Sequence, residues 1–130
     1  MQRTFSGEGA AVLLRAIDPV DGIEVMKRTR AANRKGGSQK KEIKLKDIGN
    51  GPSKMTQALG VDKASINKQD LTIYDSLWLE HGYDVKEEDI VACPRIGINY
   101  AEEWVTKPLR FYIKGNESVS VKDKEAESKD

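Results

Sequence analysis

What is scarce in this 130-residue chain limits its function before any motif is read. One cysteine, Cys93, excludes an internal disulfide, and one histidine, His81, leaves no ligand set for a structural zinc. No metal or other cofactor is therefore expected. No apolar run approaches the roughly 20 residues that a membrane-crossing helix requires, and Met1-Gln2-Arg3-Thr4 lacks the long apolar segment of a signal peptide. A soluble protein of the cytosol or nucleus follows, with no membrane partner. Neither G-x-G-x-x-G after a strand nor G-x-x-x-x-G-K-[ST] occurs, which excludes a doubly wound nucleotide-binding sheet. Hydrophobic residues at 38% and charged residues at 33% describe one thin core and one domain.

Catalytic patterns are equally sparse. The carboxylates sit almost entirely in turns, on helix exteriors or in the C-terminal segment. Glu102-Glu103 beside Trp104 is the one acidic pair next to a large apolar group, and a solvated helical turn accounts for it. His81-Gly82 reads as an exposed turn.

What is present is a division of charge. From Lys27 to Lys46 nine Lys and Arg face the single acid Glu42, while Asp84–Asp89 and Glu117–Asp130 are acidic. This basic segment is either a solvated flexible loop or a nucleic-acid contact. Beside it stands the most informative stretch, Gly51-Pro52-Ser53-Lys54-Met55-Thr56-Gln57-Ala58-Leu59-Gly60-Val61. Proline at the first helical position, serine and lysine in the first turn and a closing glycine define a short helix. Its N-terminus leaves N–H groups unpaired and carries roughly half a positive charge, so an anion such as phosphate is its natural guest.

Gly7-Glu8-Gly9 predicts a turn, and the run Ala10–Ile17 predicts a strand buried on both faces. Arg15 interrupts that run. It is either half of a structural ion pair or a cation aimed into a cleft. Asp21 is placed to cap a helix over 22–30, with Ile23, Met26 and Val20 on its apolar side. Residues from about 31 to 47 read as a mobile basic loop. Lys63–Gln69 is polar and turn-like. Leu71–Tyr74 and Leu77–Glu80 read as short strands, Ile90–Cys93 as a buried strand ended by Pro94, and Leu109–Ile113 as a strand with one face in the core. Cys93 is then a small core residue. Gly97 between two isoleucines suggests a close approach of another backbone. Val119 and Val121 suggest a last edge, and residues 122–130 form a charged tail without fixed structure. Five or six strands and three helices, with strands following one another directly, make an α+β pattern with a mainly antiparallel sheet.

Several of these segments share one resemblance. Ala11-Val12-Leu13-Leu14-Arg15-Ala16, Pro19 through Gly22, and Gly51-Pro52-Ser53-Lys54 with Gln57-Ala58-Leu59 are joined by Asp70-Leu71, Arg95-Ile96-Gly97-Ile98, Glu103-Trp104 and Lys107-Pro108-Leu109-Arg110-Phe111-Tyr112. In this order, from about Gly7 to Val121, they resemble the alkyladenine (3-methyladenine) DNA glycosylases of the animal type. Ser53 and the long basic loop resemble the eukaryotic members more than the bacterial ones.

The resemblance implies the C-terminal portion of that single-domain fold, over residues 1–121. It implies hydrolytic excision of alkylated purines from damaged double-stranded DNA by base flipping, in base-excision repair. The home implied is the nucleus, with mitochondria as a second compartment, and the completed domain would act as a monomer. By the same resemblance Arg15 lies at the backbone of the flipped nucleotide, Lys54 and Lys63 contact phosphates, and at Gly97 the main chain meets the DNA backbone. Leu13 corresponds to a wall of the base pocket. Gln2 stands where the family has an asparagine that discriminates among purines, which puts damaged-base preference in question. The family's water-activating glutamate and its base-holding and wedging residues lie upstream of the segment matched here. No catalytic residue is therefore expected in this chain, and a truncated gene model is the expected reason. The alternative is a non-catalytic DNA-binding fragment that grips phosphates. Half of a single-core domain would leave sheet edges and apolar faces open, which disfavours it.

Overall fold

The element order begins with a narrow antiparallel ladder. The computed structural model describes residues 2–4, 10–34 and 41–129. Strand β1 (Gln2–Thr4) pairs with β2 (Ala11–Leu13), placing Gln2 opposite Leu13, Arg3 opposite Val12 and Thr4 opposite Ala11. The turn expected at Gly7–Gly9 and the centre of the basic loop, residues 35–40, lie outside the described residues. Regular structure forms over two compact units, residues 1–80 and 81–130.

In the first unit the expectation of a strand buried on both faces is corrected. The ladder covers only Ala11–Leu13, and Val12, Leu13 and Leu14 are exposed to solvent. An unbroken apolar run signals burial only if something covers both of its faces. Here the cover is incomplete, leaving Val12 57%, Leu13 47% and Leu14 38% exposed.

Helix α1 (Ile23–Ala32) starts one residue later and ends two residues later than the sequence suggests, so it reaches into the stretch expected to be a mobile loop. Its N-cap is Gly22, in the left-handed region at φ 69°, and it carries no side-chain cap, so the role expected of Asp21 is not taken up. Glu24 in its first turn and Arg30 in its last complement the helix dipole. Ile23 and Met26 pack onto the buried cluster of Ile43, Ile48 and Ala58, as the periodicity predicts, whereas Val20 is 80% exposed. A short 3-10 turn (Leu45–Asp47) then leads into α2 (Pro52–Leu59). Met55 and Ala58 form its buried side, and burying a residue of the size of Met55 contributes about 1.5–3 kcal/mol.

Lys63–Ile66, expected to be a turn, forms a one-turn helix α3. Asp62 accepts from the Ser65 amide at 2.8 Å while the Ser65 hydroxyl accepts from the Asp62 amide at 3.1 Å, a reciprocal capping box. The strands expected at Leu71–Tyr74 and Leu77–Glu80 do not form: Leu71–Ile73 is a turn and Leu77–Glu80 is irregular. The Asp70 carboxylate takes the Thr72 amide and hydroxyl at 2.9 and 2.7 Å, and its carbonyl takes the Ile73 and Tyr74 amides. Such local bonding by an aspartate competes directly with a sheet ladder.

In the second unit, β3 (Ile90–Cys93) pairs antiparallel with β4 (Arg110–Ile113), with Val91 opposite Tyr112 and Cys93 opposite Arg110. Val91 and Cys93 are buried. Ile90 and Ala92 are exposed, so this strand has one covered face rather than two. The covering element is α4 (Lys124–Glu127). It lies within the segment expected to lack structure. The Asp123 side chain caps it through the Ala126 amide, the Tyr112 hydroxyl donates to Glu127 Oε1 at 2.9 Å, and Lys114 Nζ donates to the Glu127 carbonyl. No strand forms at Val119 or Val121. The α+β expectation holds, with two two-stranded antiparallel sheets among the described residues.

Candidate nucleic-acid interface

The sequence Gly-Pro-Ser-Lys folds as its residue types dictate. Gly51 is the N-cap in extended conformation, Pro52 occupies the first turn where a missing N–H costs nothing, and Gly60 closes α2 in the left-handed region at φ 65°. The N-cap makes no side-chain hydrogen bond to the helix, so the Ser53 and Lys54 amides have no cap among the described residues. Ser53 and Lys54 are exposed in that first turn. The Lys54 ammonium donates to Asn50 Oδ1 at 3.0 Å, and Asn50 donates to Asp47 Oδ1 at 3.0 Å, which holds the lysine beside the turn that precedes the helix.

The strand segment carrying Arg15 is tied to the same turn. The Ile17 amide donates to the Gly49 carbonyl at 2.9 Å. Ile17 is two residues past Arg15, and Gly49 is two residues before the N-cap of α2. Gly49 must be glycine for this approach, because a Cβ there would stand 2.7 Å from Ile17 Cγ1. Arg15 is exposed and has no hydrogen bond or ion pair with any described residue, so the structural ion pair considered for it is not formed. Lys63 is exposed at the start of α3. Thus Arg15, Lys54 and Lys63 all belong to the first unit and all offer their charge to solvent.

The remaining sequence-derived positions divide. Leu13 and Gln2 face each other across the β1–β2 ladder, and Leu13 is 47% exposed. Gly97 lies in the second unit at φ 73°, and a Cβ there would meet nothing within 4 Å. Within this chain its glycine is therefore demanded by left-handed backbone and not by the close neighbour that the flanking isoleucines suggested. The acidic pair Glu102-Glu103 is exposed on a 3-10 turn, and the adjoining Trp104 ring is covered by Lys107 Nζ at 3.9 Å. Buried polar residues are Arg30 and Ser118, so no carboxylate is buried among the described residues. Among them, no three of His, Cys, Asp and Glu come together to hold a metal ion. No helix there is long and apolar enough to cross a membrane.

The structure also sorts the basic segment, which a charge count treats as uniform. Lys27 pairs with Glu42 at 3.0 Å and Glu24 at 3.6 Å, and the Glu42 bond is the main cause of its raised pKa. Arg34 donates to the Lys41 carbonyl at 2.8 Å across the loop. Arg30 is buried and bonded to backbone carbonyls. Arg28, Lys41, Lys44 and Lys46 remain exposed and available to an anion. Arg30 is the residue that sequence reasoning passed over. The signal that could have found it is its place three to four residues past Met26 and Lys27, on the inward side of the helix.

An α+β framework that turns an uncapped helix N-terminus and several unpaired cations toward solvent is a module suited to holding a polyanion. Comparison with known proteins identifies which one. A profile of the methylpurine-DNA glycosylase family matches residues 3–117, and the chain belongs to that family. It is 42% identical over 128 residues to the DNA-3-methyladenine glycosylase of Homo sapiens, covering 98% of this chain and 42% of that protein. It is 45% identical over 126 residues to the DNA-3-methyladenine glycosylase of Mus musculus, covering 95% of this chain and 37% of that protein. Against a probable DNA-3-methyladenine glycosylase of Encephalitozoon cuniculi the identity is 43% over 112 residues, covering 86% of this chain and 50% of that protein. The chain thus spans half or less of the length of these relatives.

Proposed function

We propose that this chain is the DNA-holding part of a DNA-3-methyladenine glycosylase, acting in the nucleus on alkylated purines in duplex DNA. The observation that carries the proposal is family membership across residues 3–117 in a chain that carries Lys54 in the first turn of a helix whose N-terminus has no side-chain cap. In this reading the α2 amides and Lys54 take one phosphate, Lys63 another, and Arg15 the backbone of the extruded nucleotide. Flipping costs least where methylation has already weakened pairing. Leu13 and Gln2 line the side of the pocket on the β1–β2 ladder, and the Gly97 main chain adds a further backbone contact.

The excision is a hydrolysis. Water adds to C1′ of the sugar, the bond from C1′ to the purine nitrogen breaks, and the base leaves an abasic site. An activating carboxylate for that water needs a defined, partly desolvated seat. The half-buried carboxylates of this chain, Asp47, Asp123 and Glu127, are each engaged in a structural hydrogen bond, with Asn50, the Ala126 amide and the Tyr112 hydroxyl. The chain alone is therefore expected to hold DNA without releasing base. Incubating the 130-residue chain with duplexes containing 3-methyladenine or hypoxanthine is the direct check. Base release above a blank would show that a catalytic group lies within it.

Holding is tested separately. Phosphate contacts release counterions, so affinity should fall steeply with salt, and Lys54→Ala with Lys63→Ala should weaken binding to every sequence alike. Unchanged binding would remove α2 and α3 from the interface.

A further inference from the structure

Arg30 lies in the last turn of α1 and is 8% exposed. Its Nη1 donates to the carbonyls of Asp47 at 2.7 Å and Ile48 at 2.8 Å, and its Nε to Gln57 Oε1 at 3.3 Å. It has no carboxylate within ion-pair distance among the described residues, where the ion pairs are those of Lys27. A buried cation held by neutral acceptors is costly, and an apolar side chain beside the fully buried Ile48 would avoid that cost. The acceptors suggest why the site carries a guanidinium. Asp47 and Ile48 lead directly into Gly49-Asn50-Gly51, and Gln57 is one turn past Lys54 on α2. The bonding continues outward, from the Asp47 carboxylate to Asn50 and from Asn50 to Lys54.

We infer that Arg30 is a positioning residue for the phosphate seat: its planar fork fixes the 47–51 turn against α2, so that the α2 amides and Lys54 meet a phosphate without rearrangement. This rests on the reading of α2 as a DNA-phosphate contact. Arg30 touches no phosphate itself. Its contribution to binding passes through the turn and Lys54, and a lysine, as a single point donor, cannot reproduce it.

The test measures binding of the 130-residue chain to a short labelled duplex across a salt series. The variants are Lys54→Ala, Arg30→Met, Arg30→Lys and the double change of Lys54 and Arg30, with circular dichroism on each. Lys54→Ala should lower the salt slope by about 1. Arg30→Met should do the same, with a loss of affinity of roughly tenfold, the scale of a lost hydrogen bond to a charged group. The double variant should bind no more weakly than Arg30→Met alone, because the lysine has already lost its position. Arg30→Lys should restore folding but only part of the affinity.

Losses that add in the double variant, or an Arg30→Met protein with unchanged slope, overturn the inference. If Lys54→Ala weakens binding and Arg30→Met does not, Arg30 alone is misread. If Lys54→Ala changes nothing, the reading of α2 fails and the role of Arg30 with it. Should Arg30→Met not fold, Gln57→Leu removes one acceptor of the fork and must show part of the same loss in slope, or the inference falls.

Discussion

Replacing Gly49 by alanine tests the joint on which the candidate interface depends. The new Cβ would stand 2.7 Å from Ile17 Cγ1 and 3.3 Å from the Ile17 carbonyl oxygen. Carbon atoms rest at about 3.5–4.0 Å, so the two segments must separate by close to 1 Å. The Ile17 amide to Gly49 carbonyl bond, 2.9 Å long, occupies the same spot and would be stretched or lost with that movement. Overpacking of a tight contact costs about 1–3 kcal/mol, and a lost hydrogen bond about 1 kcal/mol. Together they predict a destabilisation of about 2–4 kcal/mol. Denaturant unfolding followed by circular dichroism measures it as a shift in midpoint at constant slope. Gly51→Ala is the internal control, because the nearest atom to a Cβ there is Lys54 Cδ at 3.9 Å. Trimming the obstacle with Ile17→Ala should recover part of the loss in the double variant. If Gly49→Ala and Gly51→Ala unfold at the same midpoint, the close approach of these segments is wrong, and so is the tether between Arg15 and α2.

Gly51→Ser should move stability and binding in opposite directions. A serine N-cap supplies the side-chain acceptor that α2 lacks, raising stability by a few tenths of a kcal/mol, while occupying the amides that the proposal assigns to a phosphate, so DNA binding should weaken. A rise in both would count against the anion seat. The second unit should lose stability in alkali. Burial raises the pKa of the Cys93 thiol, and chiefly burial raises that of the Tyr112 phenol, so the folded state keeps both protons longer than the unfolded chain. That stability is whole below the ordinary thiol value of 9.0 and is lost as pH rises through the folded values. Tyr112→Phe should flatten the alkaline part of a stability-against-pH curve, although it also removes the bond to Glu127. A curve unchanged in shape would refute the burial of that phenol.

Local chemistry was legible wherever residue type alone decides conformation. Proline at the start and glycine at the end delimit α2, Pro94 ends β3, and alternation marks β4 as a strand, although its apolar residues Leu109, Phe111 and Ile113 are the exposed ones and Arg110 and Tyr112 face inward. The readings that failed required a partner which local sequence does not name. Leu71–Tyr74 has strand-forming residues, yet the Asp70 carboxylate takes the Thr72 amide and the Asp70 carbonyl takes those of Ile73 and Tyr74. The segment after Lys122 is as charged as a loose tail, yet Asp123 caps a helical turn and Tyr112 anchors it.

By itself, then, the sequence determined that an uncapped helix N-terminus with Lys54 in its first turn exists, because glycine and proline act on their own backbone. It also carried the segments that tie the chain to its family. Tertiary structure alone decided which cations are free to meet an anion. Lys27, Arg30 and Arg34 are equal to Arg28 and Lys46 in any count of charge. Their availability depends on the groups that folding brings to them across 15, 17 and 7 residues of sequence. The same holds for Arg15, whose apolar neighbours predicted burial. Its exposure depends on which surfaces pack against β2, and a strand cannot specify its own cover.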